Sequence, residues 1–390
     1  MGFHAGHHPK RFVAGFLVFL IIVPVFVRAQ MKLLAPNTGW LIDVNRLLWT
    51  SDNGAHWTNI TPHVDSLPKG ALFTHVFFFR GTSEAWAILS YKEPVEVHTL
   101  QDMRAFENAK PIYALAHTED SGKNWTAIPI SFPSLPKWIE DTFAGPIGID
   151  FQDSNHGWMQ VSFMGMSKQC RLLATDDGGR TWKWVDSAPF SGPFAFTSRD
   201  DGWQFSEWDN ELYATHDGAR TWNKVQLPQP PGIGTNVRPI PEMPQFQSES
   251  KGYLVVTFVG AFSVPPVIVV YSTDSGGKDW HLFKTITVSR DTAFALVDST
   301  SIFVTPSEPE ALTTQQVSLT DRSPLKLAPS LRGVSELSFV DKRTGWAKTL
   351  NAVCATSDGG ITWKKITPPP LYIPRVVGSA PEKKTQHLCH

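Results

Sequence analysis

The chain has 390 residues, with 35 basic and 36 acidic side chains for a formal net charge of −1. That balance, with no long basic stripe, excludes the electrostatic footprint of a nucleic-acid binder. Three cysteines, Cys170, Cys354 and Cys389, have no metal-ligand spacing and do not amount to a disulfide framework.

The first 29 residues read as a leader. Lys10 and Arg11 precede an apolar run from Phe12 to Val27, and Val27, Arg28 and Ala29 place small residues where signal peptidase cuts, leaving Gln30 as the new N-terminus. The run falls short of the roughly twenty residues that span a bilayer, and Pro24 interrupts it. The expectation is export to the periplasm or medium. The alternative is an uncleaved anchor that holds the protein at a membrane surface. His4, His7 and His8 lie in this segment and are given no metal.

After the leader, one motif recurs, T-x-D-x-G-x-x-W. It is carried by Thr50, Asp52, Gly54 and Trp57, by Thr118, Asp120, Gly122 and Trp125, and by Thr175, Asp177, Gly179 and Trp182. It returns at Thr215, Asp217, Ala219 and Trp222, and at Thr356, Asp358, Gly360 and Trp363. A stretched copy with one extra residue runs through Ser272, Asp274, Gly276 and Trp280. The Asp carboxylate accepts N–H groups of a tight turn, Gly supplies the positive φ, and the hydroxyl adds a bond to the same turn. The Trp opens the next strand with a large apolar face. Six dispersed copies describe a folding device rather than one active centre.

A second marker precedes each copy. Gly39-Trp40, Gly157-Trp158, Gly202-Trp203, Gly252-Tyr253 and Gly345-Trp346 follow polar turns, with Ala85-Trp86 and Ile302-Phe303 as weaker versions. The last unit is the clearest. Leu337–Val340, Gly345–Leu350, Ala352–Thr356 and Trp363–Ile366 read as four short strands in sequential hairpins, which is one propeller blade. Seven aromatic markers predict an all-β, seven-bladed propeller over residues 30–367. The sixth blade lacks the turn motif and is filled by Ser301 to Asp321, and a loose tail covers 368–390. The ring is expected to close between Met31–Leu34 and the last blade.

In such a blade the A–B and C–D turns share one face, so the turn motifs lie away from the B–C and D–A connections. Those connections hold the extra residues: Pro62–Phe73, Ile130–Gly145, Leu227–Gln245, and Glu93–Lys110 with a short helix around Leu100 to Ala109. Long loops on a rigid scaffold are where binding concentrates. The candidate binding residues are Trp138, Trp208, Arg104, Arg238, Glu242 and Arg290. His63, His98, Asp102, Glu140, Asp141 and Asp291 are further loop residues of the right chemistry. No catalytic set, metal site or cofactor motif is assigned.

The repeated turn resembles the Asp-box, or BNR repeat, of sialidases, some other glycoside hydrolases and sortilin-type receptors. Paired with Gly-Trp, it is most similar to the photosystem II stability/assembly factor family. That resemblance implies an exported propeller without catalysis that binds a protein partner, in that family a membrane protein under assembly; a monomer is expected. The family's basic patch has no matching Arg cluster here. The rival is a sialidase-like exo-glycosidase, which implies an Arg triad, a Tyr–Glu pair and an Asp. Its early aromatic-Arg-Ile-Pro motif is missing; the stretches Arg238–Pro241 and Tyr372–Arg375 only echo it. Another glycosidase would need two channel-facing carboxylates, for which Asp141, Asp209 and Glu242 are candidates. A glycan is therefore the second class of partner.

Overall fold

The computed structural model describes residues 31–93, 99–134, 142–163, 170–185, 188–189, 192–206, 208–234, 236–261, 264–289, 292–306, 313–319, 326–329, 331, 333–349, 351–366 and 368. Trp138, Arg290, His98, Glu140, Asp141 and Asp291 lie outside the described residues.

The strands form seven antiparallel sheets, the blades of a β-propeller. They span Met31–Asn59, Leu72–Pro129, Phe143–Val185, Phe194–Lys224, Arg238–Thr287, Thr292–Pro329 and Val334–Lys365 as blades 1 to 7. Within each, strands A to D follow chain order from one edge to the other. Blade 5 departs in one respect. Its strand A is broken into Arg238–Pro241 and Gln245–Phe246, both paired with Gly252–Val259. Blade 6 has four strands although its sequence lacks the turn motif. One α-helix occurs among the described residues, α1 (Leu100–Asn108), in the B–C connection of blade 2.

Each turn motif is a closed set of hydrogen bonds. In blade 7 the Thr356 hydroxyl donates to Asp358 Oδ1 at 2.8 Å and accepts the N–H of Gly360 at 2.8 Å. Asp358 then accepts the N–H and the hydroxyl of Thr362 at 2.9 and 2.6 Å. The same geometry holds at Thr50/Asp52, Thr118/Asp120, Thr175/Asp177 and Thr215/Asp217. Two successive residues adopt positive φ, as at Gly359 (78°) and Gly360 (83°). In blade 4 the second is Ala219, at φ 69°, a conformation in which Cβ crowds the backbone.

Blade 5 corrects the sequence reading. The turn has no extra residue. Thr273, not Ser272, is the anchor: its hydroxyl accepts the N–H of Gly277 at 3.0 Å. Ser275 stands in the aspartate position and accepts the N–H of Asp279 at 2.9 Å. Asp274 is therefore not the turn staple. Strand register agrees, because Gly252 faces Thr273 just as Gly39, Gly157, Gly202 and Gly345 face Thr50, Thr175, Thr215 and Thr356.

Blades are joined by aromatic stacks. The strand B aromatic of one blade meets the Phe that ends strand A of the next. Trp86 stacks on Phe151 at 4.5 Å, Trp158 on Phe196 at 3.5 Å and Phe303 on Phe339 at 3.9 Å, while Trp203 meets Phe246 at 4.9 Å with the rings tilted by 32°. Such pairs contribute about 0.5–1.5 kcal/mol beyond the area they bury. The glycine of Gly-Trp leaves room for this Phe: a Cβ on Gly157 would lie 2.5 Å from the Phe151 ring.

The turns also dock sideways. Trp125 Nε1 donates to the Ile60 carbonyl of blade 1 at 3.1 Å, and a Cβ on Gly122 would meet Ile60 at 2.8 Å. The seam between blades 7 and 1 repeats this contact. Trp57 Nε1 donates to the Ile366 carbonyl at 2.8 Å, and a Cβ on Gly54 would meet Ile366 at 2.5 Å. Leu33 N donates to Ser338 Oγ, and Trp346 Nε1 to Asn53 Oδ1. The ring thus closes where expected, and every blade keeps its own four strands.

Candidate functional site

Hydrogen bonds identify the two faces of the ring. In six blades an N–H of the C–D turn donates to a carbonyl of the same blade's A–B turn: Asn53 to Asn37, Ser121 to Ser83, Gly178 to Asn155, Gly218 to Asp200, Gly276 to Ser250 and Gly359 to Arg343. These turns knit one face. The B–C and D–A connections belong to the other, and the central channel opens among them.

Among the described residues, the knitted face has one constellation with metal-ligand chemistry, Glu84, His117 and Glu119. Glu84 is already committed there. It accepts from Arg80 Nε at 2.7 Å and from Arg80 Nη2, and it lies 3.1 Å from His117 Nε2. That guanidinium neutralises the carboxylate, and the arrangement reads as a structural ion network.

The loop face is different in kind. α1 stands on it, closed by a capping box in which Thr99 Oγ1 accepts the Asp102 N–H at 3.1 Å and Asp102 accepts the Thr99 N–H at 2.8 Å. Asp102 is thus a helix cap. Leu100 is 73% exposed, and Met103, Phe106 and Arg104 are also exposed. An isolated helix of this length is marginal in water, and here its apolar side chains have little covering.

Trp208, 77% exposed, sits at the B–C tip of blade 4. Tyr213 Oη donates to Asp209 at 2.7 Å within the same hairpin. Burial is the largest influence on Asp209 and works against its ionisation, but the bonds from Tyr213, Ser206 and nearby backbone N–H groups together outweigh it and hold the carboxyl below its ordinary range, while the Tyr213 hydroxyl, bonded to Asp209, is pushed up to about 12. Arg238, which opens blade 5, donates through Nε to Asn210 at 2.8 Å. The structure therefore brings Trp208 and Arg238 to one rim. Arg104 belongs to blade 2, and His63 is an exposed loop residue 3.2 Å from Asp65.

Glu242 lies elsewhere, in the channel. It falls at the break in strand A of blade 5, where Glu242, Met243 and Pro244 oppose Leu254 and Val255. The extra residue makes this a bulge. A cavity of about 760 Å³ opens there between blades 5, 6, 7 and 1. One level of its wall is set by register. Lys32, Gln245, Ala295 and Ser338 all line it, each opposite the strand B aromatic of its own blade, Trp40, Tyr253, Phe303 and Trp346. In blade 3 the same position, opposite Trp158, is Asp150.

Lys32 and Glu242 reach channel solvent, yet the surrounding blades replace most of the bulk water around them. That disfavours both charges. The Lys32 ammonium is lowered by burial, partly offset by the charge on Asp150, and the Glu242 carboxyl is raised by burial. Asp150 is pushed up to about 6 by burial, although it accepts the Phe196 N–H at 2.8 Å and Gln152 Nε2 at 3.1 Å. Of the channel-facing carboxylates expected from sequence, Glu242 is in place. Asp209 is on the rim. Lys32 and Asp150 were missed, although each stands seven residues before its Gly-Trp pair, a spacing shared by Gln245 and Ser338.

No protein-family model and no curated protein sequence matches the chain. Solved structures do. YCF48 from Cyanidioschyzon merolae is 15% identical, with a TM-score of 0.49 over 84% of this chain and 91% of that one. YCF48 bound to D1 peptide is 16% identical, with a TM-score of 0.47 over 84% and 88%. The GH74 xyloglucanase of Xanthomonas campestris is 13% identical, with a TM-score of 0.52 over 86% of this chain. The chain spans about half of that enzyme, 53% of its length. These likenesses are of fold.

Proposed function

We propose that this protein is a non-catalytic binding module that holds a protein partner on the loop face of the propeller, outside the cytoplasm. One observation carries the reading. Among the described residues, seven of the nine exposed large apolar side chains belong to B–C or D–A connections or their edges: Val44, Leu72, Leu100, Met103, Phe106, Trp208 and Val264. Leu282 and Ile361 are the two elsewhere. Scattered apolar residues need no explanation, but concentration on one face marks an interaction surface. An exposed Trp beside an Arg is the composition of an interface hot spot. Export rests on the leader-like sequence before Gln30, and the assembly-factor resemblance supports a membrane protein as the partner.

The test is cross-linking capture from the cell envelope. Trp208→Ser, and separately Leu100→Ser with Phe106→Ser, are expected to abolish recovery of a defined partner with unchanged melting temperature. Robust hydrolysis of a sialoside or a β-glucan by the purified protein would overturn the reading in favour of a glycosidase.

A further inference from the structure

Among the charged residues that line the channel cavity, Lys32 and Glu242 are two of opposite sign that no described residue answers, while Glu336 is engaged. Neither the Lys32 ammonium nor the Glu242 carboxylate has a hydrogen bond or ion pair within the described structure. Asp150 acts on Lys32 through space, but its oxygens are engaged by Phe196 and Gln152. Both side chains keep access to channel solvent, but the walls thin the water around each charge and no protein group makes up for it, so two of opposite sign lining one cavity suit a ligand that carries both.

Register gives the spacing. Lys32 stands at the level of Gln245, and Glu242 lies three residues nearer the loop face on strand A of blade 5. Along the channel axis three residues of regular strand cover about 10 Å, somewhat less across the bulge, and the width of the channel between blades 1 and 5 adds to the separation. The termini of an extended tri- or tetrapeptide stand about that far apart. The cavity of about 760 Å³ is within the range that small ligands occupy, about 300–1,000 Å³. Strand A is also the terminal strand of every sheet. Its free edge offers backbone donors and acceptors, the groups an extended peptide pairs with.

We propose that the channel binds a short linear peptide with free termini, its carboxylate on Lys32 and its ammonium on Glu242. The site is separate from the loop rim, so the rim substitutions above leave it intact. Calorimetric titration of the purified protein with trialanine, N-acetyl-trialanine and trialanine amide tests it. Trialanine is expected to bind, and each blocked form at least tenfold more weakly. In Lys32→Met the penalty for amidation is expected to vanish, and in Glu242→Gln the penalty for acetylation. Absence of trialanine binding to the unaltered protein, or equal binding of all three peptides, would overturn the proposal without reference to how the variants fold.

Discussion

Thr356 shows how much one hydroxyl does in these turns. It is 2% exposed, donates to Asp358 and accepts two backbone N–H groups, from Asp358 and Gly360. Thr356→Val keeps the shape and strands those donors, so it is expected to cost about 1–3 kcal/mol in chemical denaturation. The carboxylates report through pH. Asp52, Asp120 and Asp217 are lowered to about 2, chiefly by the N–H and side chain of the residue four ahead; at Asp177 burial opposes this and the bonds from Thr181 prevail. A depressed acid binds its proton more readily in the unfolded chain. The stability it adds is therefore present above the ordinary value of 3.8 and lost as pH falls toward 2. Asp150 has the opposite sign: raised to about 6, it favours the native state when protonated, and that contribution fades as pH rises from 4 through 6. The melting temperature is expected to peak between about pH 4 and 6, and Asp150→Asn to flatten its fall on the alkaline side. A monotonic rise from pH 3 to 8 in the unaltered protein would contradict this. At Ala219 the positive φ is strained, and Ala219→Gly is expected to raise stability by up to about 1 kcal/mol.

At the scale of the element, the turn of blade 5 separates what the sequence displays from what the backbone uses. Asp274 catches the eye because Asp fits the motif, and reading it so requires an inserted residue. The strand pairing Gly252 to Thr273 removes the insertion and gives the role to Ser275. Asp274→Ala is expected to change stability by less than about 0.5 kcal/mol, whereas Ser275→Ala costs about 1 kcal/mol. The aromatic markers set the blade number and the motif the strand order within a blade, because the motif's polar chemistry is local. Inter-blade packing was less visible, since a Phe six residues before Gly-Trp gains meaning only when the strand B aromatic of the preceding blade packs on it. Phe196→Ala removes the tightest stack, against Trp158, and is expected to cost about 3–5 kcal/mol. The candidate site was less legible still. Trp208 stood out as an aromatic in a polar hairpin tip, whereas the channel position of Lys32 shows in the sequence only as a seven-residue spacing to Gly-Trp, which gains meaning once seven strands converge.

The whole molecule is a ring whose two faces differ in kind. One is tied turn to turn by backbone hydrogen bonds; the other carries α1, the Trp208 rim and the mouth of the channel. The strand directions place the start of blade 1 and the end of blade 7 on this second face, because strand A enters an A–B turn and strand D leaves a C–D turn on the first. The sequences before Met31 and after Lys365 therefore join the propeller on the side proposed to meet the partner. If residues 1–29 anchor the chain, the same face is turned to the membrane.

The seam between blades 7 and 1 has a mechanical consequence. Its contact is the same kind that joins blades 1 and 2, a tryptophan N–H on a carbonyl and a glycine against an isoleucine. Among the described residues no strand crosses it, so the molecule is a split washer rather than a welded hoop. A load applied to the two ends meets that slit first, in shear across Trp57, Trp346 and Ser338, before any sheet has to unzip. Pulled from its ends, the protein should uncoil blade by blade from the slit, in steps of about one blade's length.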